Sequence, residues 1–463
     1  MRREPFHSWL VPRIVAPLAE SLGRPMWTTR RRLAELQWRP PEELEQRSLD
    51  RLRPLLEHAA RFVPHYRSQF AELGLRGRDI ESASDLRRLP ITSKAELRAG
   101  FPQRTTAENI PAARRQRRMT SGSTGLPFEF YWDRSTLPVL GGTDRFWLEW
   151  SGVAVWHTRI TVASPTYFYN LVTPARRWPA FINRVVIGER TESFPADRMT
   201  TDRFRALVER VSRRGPYFIR GYPGSLVSLA ARLVEEGRPL ASYPRAVVTL
   251  AETLTGPNAA ILREVFRCGV ANHYSAWEVP QIAHSCPDHP ELLHINSERV
   301  IVRVVRPDGA EARPGETGQV VVTDLANYVM PFINYSAGDG AMVGSHCPCG
   351  RGMPTLARLE GRDVEMIRTP EGREMSSGAF GQLLTFVIGI IPYVWEYQAV
   401  QTAPEALTLR VVPTPRFTAE FQTTLQRGLA DFFGPSMHIT VEPVASIPME
   451  ASGKRFIIKQ LSP

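Results

Sequence analysis

Thr120-Ser121-Gly122-Ser123-Thr124-Gly125 is a run of hydroxyl side chains and glycines between an arginine-rich stretch and an apolar segment, and Ser452-Gly453-Lys454 stands near the C-terminus. The first run can close its backbone N–H groups around phosphate oxygens, and the second puts an ammonium on a turn that can reach the same anion. Taken alone, the first run is an ordinary surface turn. It is not a Walker loop, because no Gly-Lys-Ser/Thr follows the glycines. Lys454 adds weight: of 58 basic residues only Lys94, Lys454 and Lys459 are lysine. A compact, flexible ammonium and a planar guanidinium are not interchangeable. Together the two motifs suggest a nucleotide phosphate site.

At 463 residues the chain is too long for one ordinary core, and one large domain with one or two smaller ones is expected. With 43% hydrophobic and 23% charged residues the composition is that of a soluble globular protein. The formal charge of +11 and the run Arg114-Arg115-Gln116-Arg117-Arg118 raise the question of nucleic acid. However, the arginines are spread along the chain among 47 acids and no nucleic-acid motif accompanies them, so no nucleic-acid partner is expected. The run either concentrates polyphosphate near Thr120 or forms a solvated strand or loop face. Met1-Arg-Arg-Glu-Pro-Phe-His lacks an apolar signal core, and the apolar run from Leu383 to Trp395 contains Gly389 and Pro392 and is too short to span a bilayer. Four unevenly placed cysteines do not resemble a disulfide framework. The expectation is a cytoplasmic protein with no membrane partner.

Leu49, Leu52, Leu55, Leu56 and Ala59 recur at helical spacing before a break at Pro64. Arg159 to Val162, Ala246 to Leu250, Val300 to Val305 and Val320 to Thr323 read as strands, and Arg306-Pro-Asp-Gly309 as a turn joining the last two in a hairpin. Helical stretches such as Thr201 to Arg213 and Gly224 to Glu236 lie between strands, giving an α/β main body. After Gly361 a smaller α+β unit follows: strand Leu407 to Val412, helix Thr418 to Phe433 and strand Ile439 to Val444, then the Ser-Gly-Lys turn. The boundary is placed between residues 1–361 and 362–463.

Four further clusters are of types that a nucleotide site uses. Glu252 follows the strand Ala246 to Leu250, and strand ends commonly present functional groups in α/β sheets. His273-Tyr274-Ser275-Ala276-Trp277-Glu278 offers an aromatic face and a carboxylate. Tyr335-Ser336-Ala337-Gly338-Asp339 offers a second carboxylate, and Gly361-Arg362 a fixed fork of donors.

The order of these motifs resembles the adenylate-forming superfamily of acyl-CoA synthetases, and more closely its branch of phenylacetate-CoA ligases and capsular-polysaccharide-type relatives. The elements that carry the resemblance are Thr120–Gly125, Tyr274–Glu278, Tyr335–Asp339, Gly361–Arg362 and Ser452–Lys454, supported by Leu89-Pro-Ile-Thr-Ser-Lys94, Gly221-Tyr222-Pro223 and Cys347-Pro-Cys-Gly-Arg351. It spans roughly residue 50 to the end. The resemblance implies a large adenylating domain and a small C-terminal lid domain. It implies that Thr120 to Gly125 hold the β- and γ-phosphates of ATP, Tyr274 stacks on adenine and Glu278 binds Mg²⁺. Asp339 would hold the ribose with help from Arg362, Glu252 would border the nucleotide, and Lys454 would bridge the substrate carboxylate and the α-phosphate. Ser275, Ala337 and Val364 depart from the family pattern; they leave adenylation intact and bear on rotation of the C-terminal domain and on the second step.

Cys286, His294, Cys347 and Cys349 make a three-thiolate, one-imidazole set suited to tetrahedral zinc, with His289 as a competing ligand and Cys268 as a separate buried thiol. The resembled branch often carries such a set, which implies structural zinc with no catalytic part.

The expected activity is therefore ATP-dependent conversion of a small aromatic or cyclic carboxylic acid to its adenylate, followed by transfer to CoA. The alternatives are transfer to an amine, hydroxyl or carrier thiol, as in secondary metabolism, or a degenerate non-catalytic nucleotide binder. The acid pocket is expected from Phe146 to Tyr169 and Tyr222 to Leu226. Monomer and homodimer are both open, with Trp9-Leu10-Val11 as a possible dimer contact.

Overall fold

Short β-branched runs followed by amphipathic helices build the centre of the molecule. Thr158–Ala163, Arg190–Pro195, Tyr217–Gly221, Ala246–Leu250 and Gly269–Tyr274 are mutually parallel strands, in the spatial order 269–274, 246–250, 217–221, 158–163, 190–195. The structure is a computed structural model that describes residues 6–120, 128–163, 188–195, 200–252, 254, 256–360, 366–376, 380–381, 383–390, 393–447 and 458–460. Among these, the parallel strands continue through 283–285, 293–295, 355–360, 335–343, 317–324 and 300–305 into an antiparallel half, and Thr92–Ser93 adds to Tyr335–Val343.

The period of two in a strand sorts the parallel half into two faces. On one face Ile160, Val162, Tyr217, Ile219, Val247 and Val270 are buried together with Phe204, Leu207, Leu229, Leu233 and Leu262. These come from the amphipathic helices Thr201–Ser212, Pro223–Glu235 and Gly256–Phe266. On the other face Phe218, Ala246, Val248 and Ala271 pack against Leu148 and Val153, under the end of the helix Leu137–Trp150. Arg159, Arg220 and His273 share this second face by alternation.

Several expectations are met. The helix Pro41–Phe62 buries Leu49, Leu52, Leu55, Leu56 and Ala59, and a new helix starts at Pro64. Val300–Val305 and Thr317–Asp324 pair antiparallel around the turn at Arg306–Gly309. The arginine run lies mostly in the strand Arg115–Thr120, and its side chains are engaged. Arg114 pairs with Asp133, Arg115 donates to the Ile110 carbonyl, Arg117 pairs with Glu129 and Arg118 lies over the Trp132 ring.

The C-terminal unit is a four-stranded sheet, in the order 438–443, 406–413, 394–403, 458–460, against the helix Ala419–Phe433. Its central strand Val394–Ala403 begins inside the apolar run that the sequence left without a structural assignment. Leu407, Leu409, Val411, Leu425, Leu429 and Phe433 form its core, into which Tyr222 of the main body also packs. The expected boundary at 361/362 lies outside the described residues. No described helix is long and apolar enough to cross a membrane.

Gly221 closes its strand where a Cβ would lie 2.5 Å from the Val162 carbonyl oxygen. The neighbour is backbone and cannot rotate away. Gly221→Ala should destabilise the fold by about 1–3 kcal/mol, the usual cost of overpacking, read as a lower urea midpoint in equilibrium unfolding. An unchanged midpoint would mean that the strands separate without cost.

Candidate active site

Of the segments singled out in the sequence, those of Glu252 and Tyr274 lie at the C-terminal ends of parallel strands, where ligands bind in open α/β sheets, and Asp339 meets Tyr274 there. Thr120 ends one strand of a two-stranded ribbon and pairs in register with Phe128, which begins the other. Residues 121–127, and with them Ser121, Gly122, Ser123, Thr124 and Gly125, lie outside the described residues. The two ends of the loop are fixed by packing. Phe128 and Phe130 are fully buried against Phe332. Trp132 stacks on Trp277 with ring centroids 6.3 Å apart and donates its indole N–H to the Trp277 carbonyl at 2.9 Å. The ribbon is thereby tied to the segment that carries Tyr274 and Glu278.

Tyr274 ends its strand nearly buried, and its hydroxyl donates to Asp339 Oδ2 at 3.0 Å. Two residues assigned from separate motifs thus meet across the sheet. Gly338, beside Asp339, takes φ +86°, a conformation glycine adopts without penalty. Glu252 follows the strand Ala246–Leu250 after Ala251, a non-glycine residue at φ +67°. Such backbone is strained and concentrates at functional sites. Gln281, at φ +62°, is a second case, and both Ala251 and Gln281 line the same cavity.

Glu278 is 3% exposed, and Lys94 Nζ lies 2.8 Å from its Oε1. The Tyr335 hydroxyl donates to the same oxygen at 2.9 Å. Burial by itself would raise the Glu278 pKa, but the charge and hydrogen bond of Lys94 outweigh it and hold the carboxyl below its ordinary range. The sequence named Lys94 within a motif and gave it no role. A signal was available: it is one of three lysines, and Ser93 with Glu96 forms a capping box that starts a helix at Lys94. Thr92, paired with Tyr335, sets that helix beside Glu278.

A cavity of about 520 Å³ opens among these elements. Ala251, Ser275, Ala276 and Trp277 line it beside the Glu252 and Tyr274 segments, and Leu148, Val153, Phe218 and Tyr222 supply apolar wall. This partly matches the expected pocket segments, whereas Phe146 and Leu226 are buried in the core. Charged residues that the sequence reading missed complete the wall. Arg220 donates to Asp144 Oδ1 at 2.8 Å and Arg159 to Asp144 Oδ2 at 3.3 Å. Burial acts to raise the Asp144 pKa, yet the two guanidinium charges hold it well below the usual carboxylate range. Burial, with Arg220 nearby, lowers His273 to about 3, so its imidazole is neutral. The available signal was an arginine at inward positions of otherwise apolar parallel strands, where charge is rare unless paired.

Cys286, His294, Cys347 and Cys349 come together with their ligand atoms all within 4.8 Å of one another. Cys347 Sγ lies 3.7 Å from Cys286 Sγ, and Cys349 Sγ lies 3.4 Å from His294 Nε2. His294 Nδ1 sits 3.1 Å from the Met353 carbonyl, an orientation that leaves Nε2 as the ligand atom. Burial raises the Cys286 thiol, pushes Cys347 up to about 12 and lowers His294 to about 4. His289 stands apart, half-exposed beside Glu291, and Cys268 is also separate and only partly buried. Arg362 and Lys454 lie outside the described residues.

Lys94→Met would leave the Glu278 carboxylate buried without its cation, and breaking a buried pair on one side costs about 3–5 kcal/mol. Urea unfolding at neutral pH should show a loss of this order, partly restored by adding Glu278→Gln. Because the folded-state pKa of Glu278 is depressed, the pair's contribution is present above the unfolded carboxyl value of ~4.3 and fades as pH falls through the folded value. In Lys94→Met burial acts on the carboxyl without that cation and raises its pKa. The gap between wild type and variant should therefore be full at neutral pH, begin to close as pH falls through the variant's raised value, and be smallest below the wild-type folded value. A gap independent of pH under acid would sink this assignment.

No protein-family model matches the chain. It is 24% identical over 455 residues to a phenylacetate-coenzyme A ligase of Thermus thermophilus, covering 91% of this chain and 97% of that one. It is 27% identical over 346 residues to the phenylacetate-coenzyme A ligase of Escherichia coli, covering 70% and 72%. Among solved structures it is similar to 2-hydroxyisobutyryl-CoA ligase in complex with 2-HIB-AMP and CoA, at TM-score 0.63 and 19% identity over 92% of both chains. The same ligase in its postadenylation state superposes at TM-score 0.60. Along most of its length, then, the chain resembles the phenylacetate-CoA ligases, and its fold is that of the adenylate-forming ligases, a large α/β domain followed by a smaller C-terminal one.

Proposed function

We propose that this protein activates a small carboxylic acid with ATP and passes the acyl group to CoA. The observation that carries the reading is the meeting of separate motifs, Tyr274 with Asp339 and both Lys94 and Tyr335 with Glu278, next to the Ser275–Trp277 segment that lines the cavity. The similarity to ligases whose names specify phenylacetate and coenzyme A supports it.

In the first step a carboxylate oxygen attacks the α-phosphorus of ATP, and the bond from that phosphorus to the bridging oxygen of pyrophosphate breaks. An acyl-adenylate remains. In the second step the CoA sulfur attacks the acyl carbon, AMP departs with the oxygen, and the thiol proton goes to solvent or a base. Two anions must meet in the first step, so holding them in line and offsetting their charge is most of the catalytic task. In this reading residues 120–125 hold the terminal phosphates and Tyr274 provides the adenine face. Asp339 takes the ribose, Glu252 and Arg362 border the nucleotide, and Lys454 brings a cation to the reacting carboxylate and α-phosphate. Residues 362–463 act as the small domain that delivers Lys454, in a protein of the cytoplasm.

Mg²⁺ would enter on the nucleotide's phosphates, the way it commonly reaches such sites. Glu278 is its expected ligand: the carboxylate is kept ionised, although its nearest cation here is Lys94. Zn²⁺ suits the three sulfurs and one imidazole nitrogen, all within 4.8 Å, with His294 already oriented through Met353. It would be closed by four protein ligands and serve structure.

The direct test is ATP–pyrophosphate exchange across a panel of acids, with Lys454→Ala beside wild type. Exchange with one acid class, reduced at least a hundredfold in the variant, and thioester formation on adding CoA are expected. ATP binding with no exchange for any acid would favour a non-catalytic binder, and acyl transfer to an amine in preference to CoA would change the acceptor. Elemental analysis should find about one zinc per chain, lost in Cys286→Ser or Cys347→Ser together with a fall of several degrees in Tm. Full metal content in these variants would exclude the cluster as the ligand set.

A further inference from the structure

The charged patch on the cavity wall bears on which acid the site accepts. In an apolar acid pocket the second face of the parallel strands would carry only residues such as Phe218, Val248 and Ala271. Here Arg159 and Arg220 interrupt that face and line the cavity with Asp144 and Arg145. One carboxylate, Asp144, serves two guanidiniums. Arg145 reaches Glu189 only at 3.5 Å, donates from Nε to Met26 Sδ at 3.1 Å and lies over the Trp27 ring. Arg159 Nε and Arg145 Nη1 are buried and lack a hydrogen-bond partner among the described residues. The wall therefore has donors and positive charge in excess of its acceptors.

Register gives the depth of this patch. Arg220 aligns with Val248 and Ala271, two residues back from the level of Leu250 and His273. Arg159 lies two residues further back, since Thr161 aligns with Arg220. At ~3.3 Å per residue these positions fall about 7 Å and 13 Å behind the strand ends. The Ala251–Glu252 and Ser275–Glu278 segments, where the reacting carboxylate belongs in the proposed function, begin at those ends. One six-membered ring bridges the interval to the nearer level.

An unsubstituted ring placed there would strip water from Asp144, Arg159 and Arg145 and return no hydrogen bond, which is costly for buried polar groups. An acceptor oxygen on the ring would return hydrogen bonds to the partly exposed Arg159 and Arg220 side chains, and the local excess of positive charge tolerates an anionic one. We propose that the acid activated by this protein carries a second oxygen function on the side of its ring away from the reacting carboxylate, a hydroxyl or a carboxylate, seated against Arg159, Arg220 and Arg145. This rests on the acid-activating reading above and sets the substrate class within it.

The test pairs ring-substituted acids of equal shape: 3- and 4-hydroxyphenylacetate and 3- and 4-carboxyphenylacetate against the corresponding methylphenylacetates, with phenylacetate itself. Each is measured twice on the full chain, by calorimetric binding and by kcat/KM in ATP–pyrophosphate exchange. An oxygenated acid is expected to exceed its methyl counterpart by at least tenfold in both, since a site built to hydrogen-bond a polar group rejects the analogue lacking it. In Arg159→Met, checked for folding by circular dichroism, that ratio should fall toward one. The wild-type comparison stands even if the variant does not fold. Equal or better use of the methyl or unsubstituted acids overturns the proposal, as does failure of every acid in the panel to bind. Selective binding without exchange supports it and instead removes the ligase reading, whereas exchange without selectivity keeps the ligase reading and removes this one.

Discussion

A parallel strand inside an α/β body has two faces, and both must be covered. On the first face Ile160, Val162, Ile219, Val247 and Val270 meet three amphipathic helices in a contact that is mainly apolar. On the second, Arg159, Arg220 and His273 cannot be buried as they stand. The arginines are met by Asp144 from the helix Leu137–Trp150, and the histidine is made neutral by burial. Everything that gives the cavity its chemical character follows from that asymmetry. The apolar face supplies the stability, and the charged face bears a desolvation penalty that apolar packing would avoid.

The loops at the strand ends are held by polar pairs that join distant parts of the chain. Lys94 to Glu278 and Tyr335 to Glu278 bring the early helix and the antiparallel half to the same carboxylate. Tyr274 to Asp339 makes a parallel link between strands. Trp132 on Trp277 fixes the ribbon whose two strands flank the glycine-rich segment in sequence. A site assembled from several segments is as precise as these supports, because each first contact depends on rotamers locked by the next.

The cysteine cluster has a comparable bracing position away from the cavity. Arg351 extends from the Cys347–Cys349 loop, stacks over Trp38 and Trp150, and donates to Gln37 Oε1 at 2.9 Å. His294 lies cross-strand from His284, whose ring stacks on Trp147 at 5.2 Å. The cluster thus joins the N-terminal helices to the helix Leu137–Trp150, whose Asp144 holds the cavity arginines. That placement fits a structural contribution rather than a chemical one.

Much of this was legible in the chain itself. Periodicity located the strands Ala246–Leu250 and Val300–Val305 and the helices at 41–62, 201–212 and 419–433, because local patterning and burial agree there. The order of five motifs carried the resemblance that full-length comparison supports. The pairing of Cys286, His294, Cys347 and Cys349, with His289 left out, was half legible, since spacing leaves both histidines open and only the strand pairing at 283–295 selects one. Lys94 with Glu278 and the Asp144–Arg159–Arg220 group were not legible as groups. Their members lie far apart in sequence, and their meeting depends on strand order and register, which no local window contains. Sequence alone determined which residue types the chain can offer and in what secondary structure. Tertiary structure decided which of them share a cavity, because a buried charge is tolerable only beside the partner that the fold brings to it.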